Sequence, residues 1–311
     1  MNAATQPVSK ASGARMKPSH GRIRQSSAFG GGDVSGPKGD LETLARLELG
    51  ETPEVKRNSL TQLRKLLEED DKIRVPPEDD FLLMFLRTRK YKVQNAVETI
   101  RRYFRARKNM SEYFEELTTS SSLYQTVFRD HKLIMYANER DPQGRVTSVT
   151  KYGAWSSDIC SIAELLRCGL WAMECHLLEE ETQIRGFVAM IDLKGFGAEH
   201  LMQLTPWFVG RLISIAQDSL PVRLKGIYFV NTPAVFQVVY TIAKPFLSAK
   251  LKSRLHFIGS DLSELSGVVP SELLPEDFGG TINDFDCDRQ ERFFNKKASY
   301  FDMIRQFGYQ T

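Results

Sequence analysis

The chain predicts an α/β domain, a mostly parallel sheet with helices enclosing an apolar pocket, preceded by a small helical bundle. Three observations lead there. Strand-like runs at 186–193, 224–231 and 255–259 alternate with apolar helical runs, and that alternation calls for parallel crossovers. Two earlier runs, His131 to Ala137 and Arg145 to Tyr152, flank the turn sequence Asp141-Pro142-Gln143-Gly144 and so form a hairpin. From residue 41 to residue 115 the apolar residues recur at helical spacing instead.

Residues 1–40 are different material, rich in Ser, Gly, Ala and Pro, with Lys10, Arg15, Lys17, Arg22 and Arg24 all ahead of the first acid, Asp33. Such a segment buries too little to offset its ordering entropy and reads as a disordered basic tail, weakly attracted to anionic lipid. Pro7, Pro18 and Gly30 to Gly32 interrupt the amphipathic helix that a mitochondrial presequence would need. A helical module then spans 41–115. Leu41, Leu44, Leu47 and Leu49 make a first short piece, and Ser59 with Gln62 has capping-box spacing ahead of Leu60, Leu63, Leu66 and Leu67. Pro76-Pro77 is expected to close that helix, and Asp79 or Asp80 to cap the next, FLLMFLRTRKY (Phe81 to Tyr91). Val93, Ala96, Val97, Ile100, Tyr103 and Phe104 follow at the same spacing.

The α/β part spans 116–285. A helix from Ile159 to Leu178 carries Ile162, Leu165, Leu166, Leu170, Met173 and Leu177 along one side, with Cys168, Trp171, Cys175 and Leu178 over much of the rest. A helix at 206–217 has Thr205 as cap, Pro206 in its first turn, and Phe208, Val209, Leu212, Ile213, Ile215 and Ala216. Helices apolar on more than one face can line a hollow against the sheet, which needs no catalytic group. The buried strand Leu224 to Val230 leads into the most apolar stretch, with Val235, Phe236, Val238, Val239, Ile242, Phe246 and Leu247 around a break at Pro245. That is more than one helix face hides. Beside Lys244, Lys250, Lys252 and Arg254, it is either core packed on both sides or a lid with one face on a cavity and the other toward a membrane. Residues 286–311 are expected to form a C-terminal helix.

A chain of 311 residues with 41% hydrophobic content buries one large core or two modest ones, and a net charge of +3 makes any basic behaviour local. Cys160, Cys168, Cys175 and Cys287 show no metal or redox spacing and fit a reducing compartment. No apolar run approaches the roughly 18 residues of a bilayer span. The phosphate loop, dinucleotide fingerprint, nucleophile elbow and zinc-protease motifs are missing, and His131, His176, His200 and His256 are scattered. No enzyme, cofactor, metal or nucleic-acid partner is therefore expected, and the chain is expected to be a monomer.

The order of the motifs resembles a family. FLLMFLRTRKY, DLKGF (Asp192 to Phe196), QLTP (Gln203 to Pro206), LPVRLKGIYFVNTP, KPFLSAKLKSRLHF and LLPEDFGGT run in the order of the CRAL-TRIO domain, a lipid-transfer fold, and cover roughly residues 55 to 285. The resemblance implies a lipid pocket walled by Leu166, Gly169, Met173, Phe187, Ile191, Leu204, Leu212, Ile215, Ala216, Leu220, Val222 and Ile227. It implies a lid of Phe236, Val239, Ile242, Phe246 and Leu247, and a phosphoinositide headgroup site of Arg89, Arg223, Lys250 and Arg254. The last two sit four apart on a helix and share a face, and a multiply charged phosphate calls for such converging cations. Gly169 and Met173 stand where the family's tocopherol carrier has small polar residues, so tocopherol itself is not implied.

The function expected from these residues is binding and transfer of one small hydrophobic lipid, exchanged at phosphoinositide-bearing membranes from the cytosol, endosomal ones among them. A trafficking adaptor with the same headgroup site and no obligatory cargo is the first alternative, and an enzyme of unfamiliar mechanism the second.

Overall fold

Start and stop signals are stronger in some helices than sequence spacing alone suggests. In the computed structural model, which describes residue 1 and residues 41–309, the continuous described part begins with α1 (Leu41–Leu49), α2 (Pro53–Glu68), α3 (Asp79–Thr88) and α4 (Val93–Asn109). The expected basic tail lies outside the described residues apart from Met1. Helix α2 starts six residues before the expected Ser59 cap. Thr52 Oγ1 accepts from the Val55 amide at 3.1 Å, and Pro53 at the first position gives up no bond there, so Ser59 lies buried inside the helix. The same helix ends at Glu68, ahead of Pro76, and a two-residue strand, β1 (Ile73–Arg74), intervenes. Glu78 occupies the cap position of α3, leaving Asp79 and Asp80 in its first turn, where a helix dipole favours anions.

Next come α5 (Ser122–Tyr124), which widens into a π-helical turn (Gln125–Asp130), then β2 (Ile134–Tyr136), β3 (Val146–Thr150), α6 (Ile162–Leu177), α7 (Glu180–Arg185) and β4 (Phe187–Asp192). They are followed by α8 (Ala198–Gln203), α9 (Pro206–Ser214) with a π-helical turn (Ile215–Ser219), β5 (Leu224–Val230), α10 (Phe236–Ala243), α11 (Ala249–Lys252) and β6 (Leu255–Phe257). The sheet runs β2-β3-β4-β5-β6, antiparallel only between β2 and β3. Its two faces are distinct. Val149, Val188, Met190 and Val230 face the stretch holding Ile258, Leu265, Val269 and Phe278. Val146, Phe187 and Leu224 face the helices, in one apolar cluster that continues through Phe81, Phe85, Tyr103 and Phe104 of the N-terminal module.

The C-terminal segment is not the single helix expected. It forms α12 (Cys287–Asn295), α13 (Ala298–Ile304) and a short strand, β7 (Gly308–Tyr309), which pairs antiparallel with β1. The break falls where the Lys297 amide donates to the Phe294 carbonyl and its ammonium turns back to Glu179 and over the Phe293 ring. Phe293 in turn stacks on His176 at 4.5 Å, with Tyr136 on the ring's other contact at 4.2 Å. Burial, with Arg140 and Lys297 nearby, pushes the His176 imidazole down to about 3, so it stays neutral in the fold. The unfolded chain takes up that proton near pH 6.5 and the folded chain does not, so this contribution is present above pH 6.5 and lost as pH falls toward 3. Denaturation midpoints measured across that window should fall further for the wild type than for His176→Phe; parallel curves would reject this account.

Candidate functional site

Residues on the middle strands of a closed sheet-helix core are sealed off. Here several are not. Ile191 on β4, with Ile227 and Phe229 on β5, is only partly buried although it faces the helices. So are Leu166 and Met173 on α6 and Leu212 on α9. Partly exposed apolar side chains on β4, β5, α6 and α9 therefore lie where the lipid wall is expected. Of the expected wall, Gly169 and Ala216 are likewise partly buried, whereas Phe187, Leu204, Ile215, Leu220 and Val222 are buried. A side chain at Gly169 would meet only Ile134 Cδ1, at 3.7 Å, so α6 has spare room at that point.

The expected lid falls on α10 and the residues after it. Phe236 points inward, its ring 5.1 Å from Phe229 and 5.4 Å edge-on to Phe196, and Val239 and Leu247 are buried with it. Ile242 is partly buried. Phe246 is 41% exposed yet rests on α9, where a Cβ added at Gly210 would lie 3.2 Å from its ring. Val235 and Val238 point outward, and the large exposed apolar side chains Met202, Trp207 and Phe257 lie on neighbouring elements. The segment is thus apolar inside and outside, with only Ser248-capped α11 turning the chain back to the sheet.

The four expected cations come together at the other end of that segment. A β-bulge starts β5: Phe187 pairs with Leu224 but Val188 with Gly226, which leaves Lys225 as the extra residue. Arg223 and Lys225 both reach Glu48 of α1, at 2.5 and 2.8 Å, and Arg223 also donates to the Ile184 carbonyl. Arg89 is held from behind. Its Nε donates to Thr99 Oγ1 at 2.6 Å, and Nη2 reaches the Gln217 and Asp218 carbonyls of the π turn at 3.5 and 3.4 Å. Lys250 and Arg254 have no acidic partner among the described residues. Burial, then Arg254, Arg89, Arg223 and Lys90, lower the Lys250 pKa; burial and Arg223 lower that of Arg254.

Sequence reading missed Lys225, Lys90 and Glu48. Lys225 had a signal, since it lies two residues from Arg223 on a strand. Glu48 had none, being 175 residues from Arg223. Beside it, Arg87 is nearly sealed and donates to both Glu51 oxygens at 2.8 and 2.9 Å, to Gln183 at 2.7 Å and to Glu180, which joins α3 to α7.

Comparison with known proteins follows the same outline. The family model for the CRAL/TRIO domain matches residues 130–280. The chain is 32% identical over 269 residues to the alpha-tocopherol transfer protein-like protein of Homo sapiens, covering 86% of this chain and 77% of that one. It is 32% identical over 248 residues to clavesin-1 of Rattus norvegicus, covering 79% and 70%. Among solved structures, the crystal structure of Sfh5 aligns with a TM-score of 0.54 at 15% identity, over 82% of this chain and 99% of that one, a likeness of fold alone.

Proposed function

We propose, since this chain belongs to the CRAL/TRIO domain family, that it takes one small hydrophobic lipid into the hollow and exchanges it at phosphoinositide-bearing membranes. The observation that carries the reading is the set of partly buried apolar residues where the sheet faces the helices, Ile191 and Ile227 on the strands, Leu166 and Met173 on α6 and Leu212 on α9. A protein with no cargo gains nothing from leaving that area unpacked, because each unfilled contact forgoes dispersion energy. The name of one relative, alpha-tocopherol transfer protein-like, supports transfer over simple storage.

Among the described residues no helix is long and apolar enough to cross a membrane. Contact with a bilayer then falls to the lid and the basic cluster. With α10 closed, Phe236 and Val239 cover the hollow; opening exposes them, which is tolerable only against lipid. The cluster of Arg89, Arg223, Lys250 and Arg254 would choose membranes whose headgroups carry several phosphates. The protein would act as a monomer in the cytoplasm, on endosomal or similar membranes only transiently.

Native mass spectrometry of protein purified from cells tests the reading directly, a retained lipid supporting it and an empty protein favouring an adaptor. A second test is Leu212→Asp. An ionised carboxylate in an apolar cavity is penalised by several kcal/mol unless it protonates or the wall opens, so lipid loading should drop about tenfold or more while the fold survives. Ile215→Asp serves as contrast: Ile215 is fully sealed, and its loss should appear as unfolding. Wild-type loading by a folded Leu212→Asp protein would remove Leu212 from the wall.

A further inference from the structure

Arg223 and Lys225 do not wait empty. The Glu48 carboxylate lies between them, 2.5 Å from one and 2.8 Å from the other. Among the described residues it is their acidic partner. We infer that α1 is a displaceable strap, and that Glu48 competes with a multiply phosphorylated inositol for Arg223 and Lys225. The inference rests on the phosphoinositide reading above and adds to it a regulatory element.

Three features make α1 suited to leave. Its apolar attachment is small: Ala45 and Leu49 pack on Ile184 in a cluster separate from the main core, with Leu41, Leu44 and Tyr91 at its edge. Leu47 points away from the protein, 72% exposed. The chain also has a pivot and an anchor just behind the strap. Gly50 takes a left-handed φ of +72°, has nothing within 4 Å of where a Cβ would stand, and ends α1 by donating to the Arg46 carbonyl. Glu51, the next residue, is fixed by its two bonds to Arg87. Movement at Gly50 would therefore free α1 and leave α2 in place.

The strap also has a reason to stay until an anion arrives. Burial alone would raise the Glu48 carboxyl, yet hydrogen bonds and charge from Lys225 and Arg223 hold it below its ordinary value, so the carboxylate is charged and bound. With Glu48 in place, two of the cluster's cations are neutralised, and Lys250, Arg254, Arg89 and Lys90 remain to attract the first phosphate. A headgroup phosphate offers more negative charge and more acceptors than one carboxylate, and so displaces it. The arrangement screens against singly charged anions, which do not repay the release of α1.

The test compares wild type, Glu48→Gln and a Lys250→Ala/Arg254→Ala double variant on phosphatidylcholine vesicles with and without phosphatidylinositol bisphosphate, and with soluble inositol trisphosphate. Glu48→Gln should bind the phosphoinositide vesicles about threefold to tenfold more tightly. Hydrogen exchange at 41–49 in the wild type should accelerate on binding while 53–68 stays protected. Acceleration with both probes supports displacement by the headgroup, and acceleration with vesicles alone supports displacement by bilayer-borne lipid. Unchanged or weaker binding by Glu48→Gln, or unchanged exchange at 41–49 with both probes, overturns the strap while the cluster stands if the double variant has lost binding. If the double variant binds like wild type, the headgroup site itself fails, and the strap with it.

Discussion

Glu174→Ala, with Arg107 left in place, is expected to lower folding stability by about 3–5 kcal/mol. Glu174 is 4% exposed on α6, and both its oxygens accept from Arg107 Nη1, at 2.9 and 3.0 Å. The same nitrogen donates to the Tyr103 hydroxyl at 3.0 Å, and the guanidinium lies over the rings of Tyr103 and Phe114. Burial opposes the Arg107 charge, but Glu174, with Tyr103 and Tyr300, raises its pKa well above the ordinary value. Without Glu174 the cation stays buried and loses its counter-charge, and arginine cannot escape by losing its proton. Arg107→Met/Glu174→Leu should recover most of the loss, because an apolar pair of similar size avoids desolvating either charge. Urea unfolding measures both. A loss below about 1 kcal/mol for Glu174→Ala would mean that water reaches the guanidinium and the pair is only a surface contact.

That pair also bears on the hollow. Glu174 follows Met173, partly buried and part of the proposed wall, so Arg107 of α4 fixes the rotation of α6 about its axis. A second tie, from Arg87 on α3 to Glu180 and Gln183, holds α7 just before β4. The N-terminal helices thus brace the wall with buried charge as well as with apolar packing, and a loosened brace should show as poorer lipid retention before the fold is lost.

What could be read from the chain followed from local periodicity. The parallel strands β4, β5 and β6 are mostly apolar runs, and Thr205-Pro206 announced the start of α9, where Thr205 Oγ1 indeed accepts from the Phe208 amide at 3.2 Å. Local rules failed where two local signals compete. Ser59 with Gln62 satisfies the same spacing rule as a true cap, but Thr52-Pro53 comes earlier, and a helix once started runs through Ser59. The basic site was half legible. Lys250 and Arg254 were expected to share a helix face, but α11 ends at Lys252 and Arg254 lies past its Ser253 cap, while the bulge at Lys225, and Glu48 that meets both Arg223 and Lys225, depend on contacts across the chain that no periodicity encodes. The proposed hollow was legible only as surplus apolar surface; which residues stay partly open depends on how α6 and α9 sit on the sheet.

Lys250→Ala/Arg254→Ala is expected to separate membrane exchange from lipid binding. Each basic side chain near an anionic surface contributes about 1 kcal/mol, so losing two should weaken binding to phosphoinositide vesicles by about thirtyfold at low ionic strength. Transfer should fall in parallel. The difference should shrink as salt is raised, since exposed charges are screened beyond a Debye length of about 8–10 Å. Ligand affinity in solution should not change, because neither side chain is among the partly buried apolar residues that mark the hollow. Stability should hold or rise slightly: neighbouring cations and burial depress the proton affinity of both groups, so removing them relieves repulsion in the folded state. Vesicle co-sedimentation, a fluorescent-lipid transfer assay and thermal unfolding on the same preparations decide it. Vesicle binding at the wild-type level would make the cluster an ordinary solvated face, loss of ligand affinity in solution would join the two sites into one, and a marked loss of stability would give Lys250 and Arg254 a structural task instead.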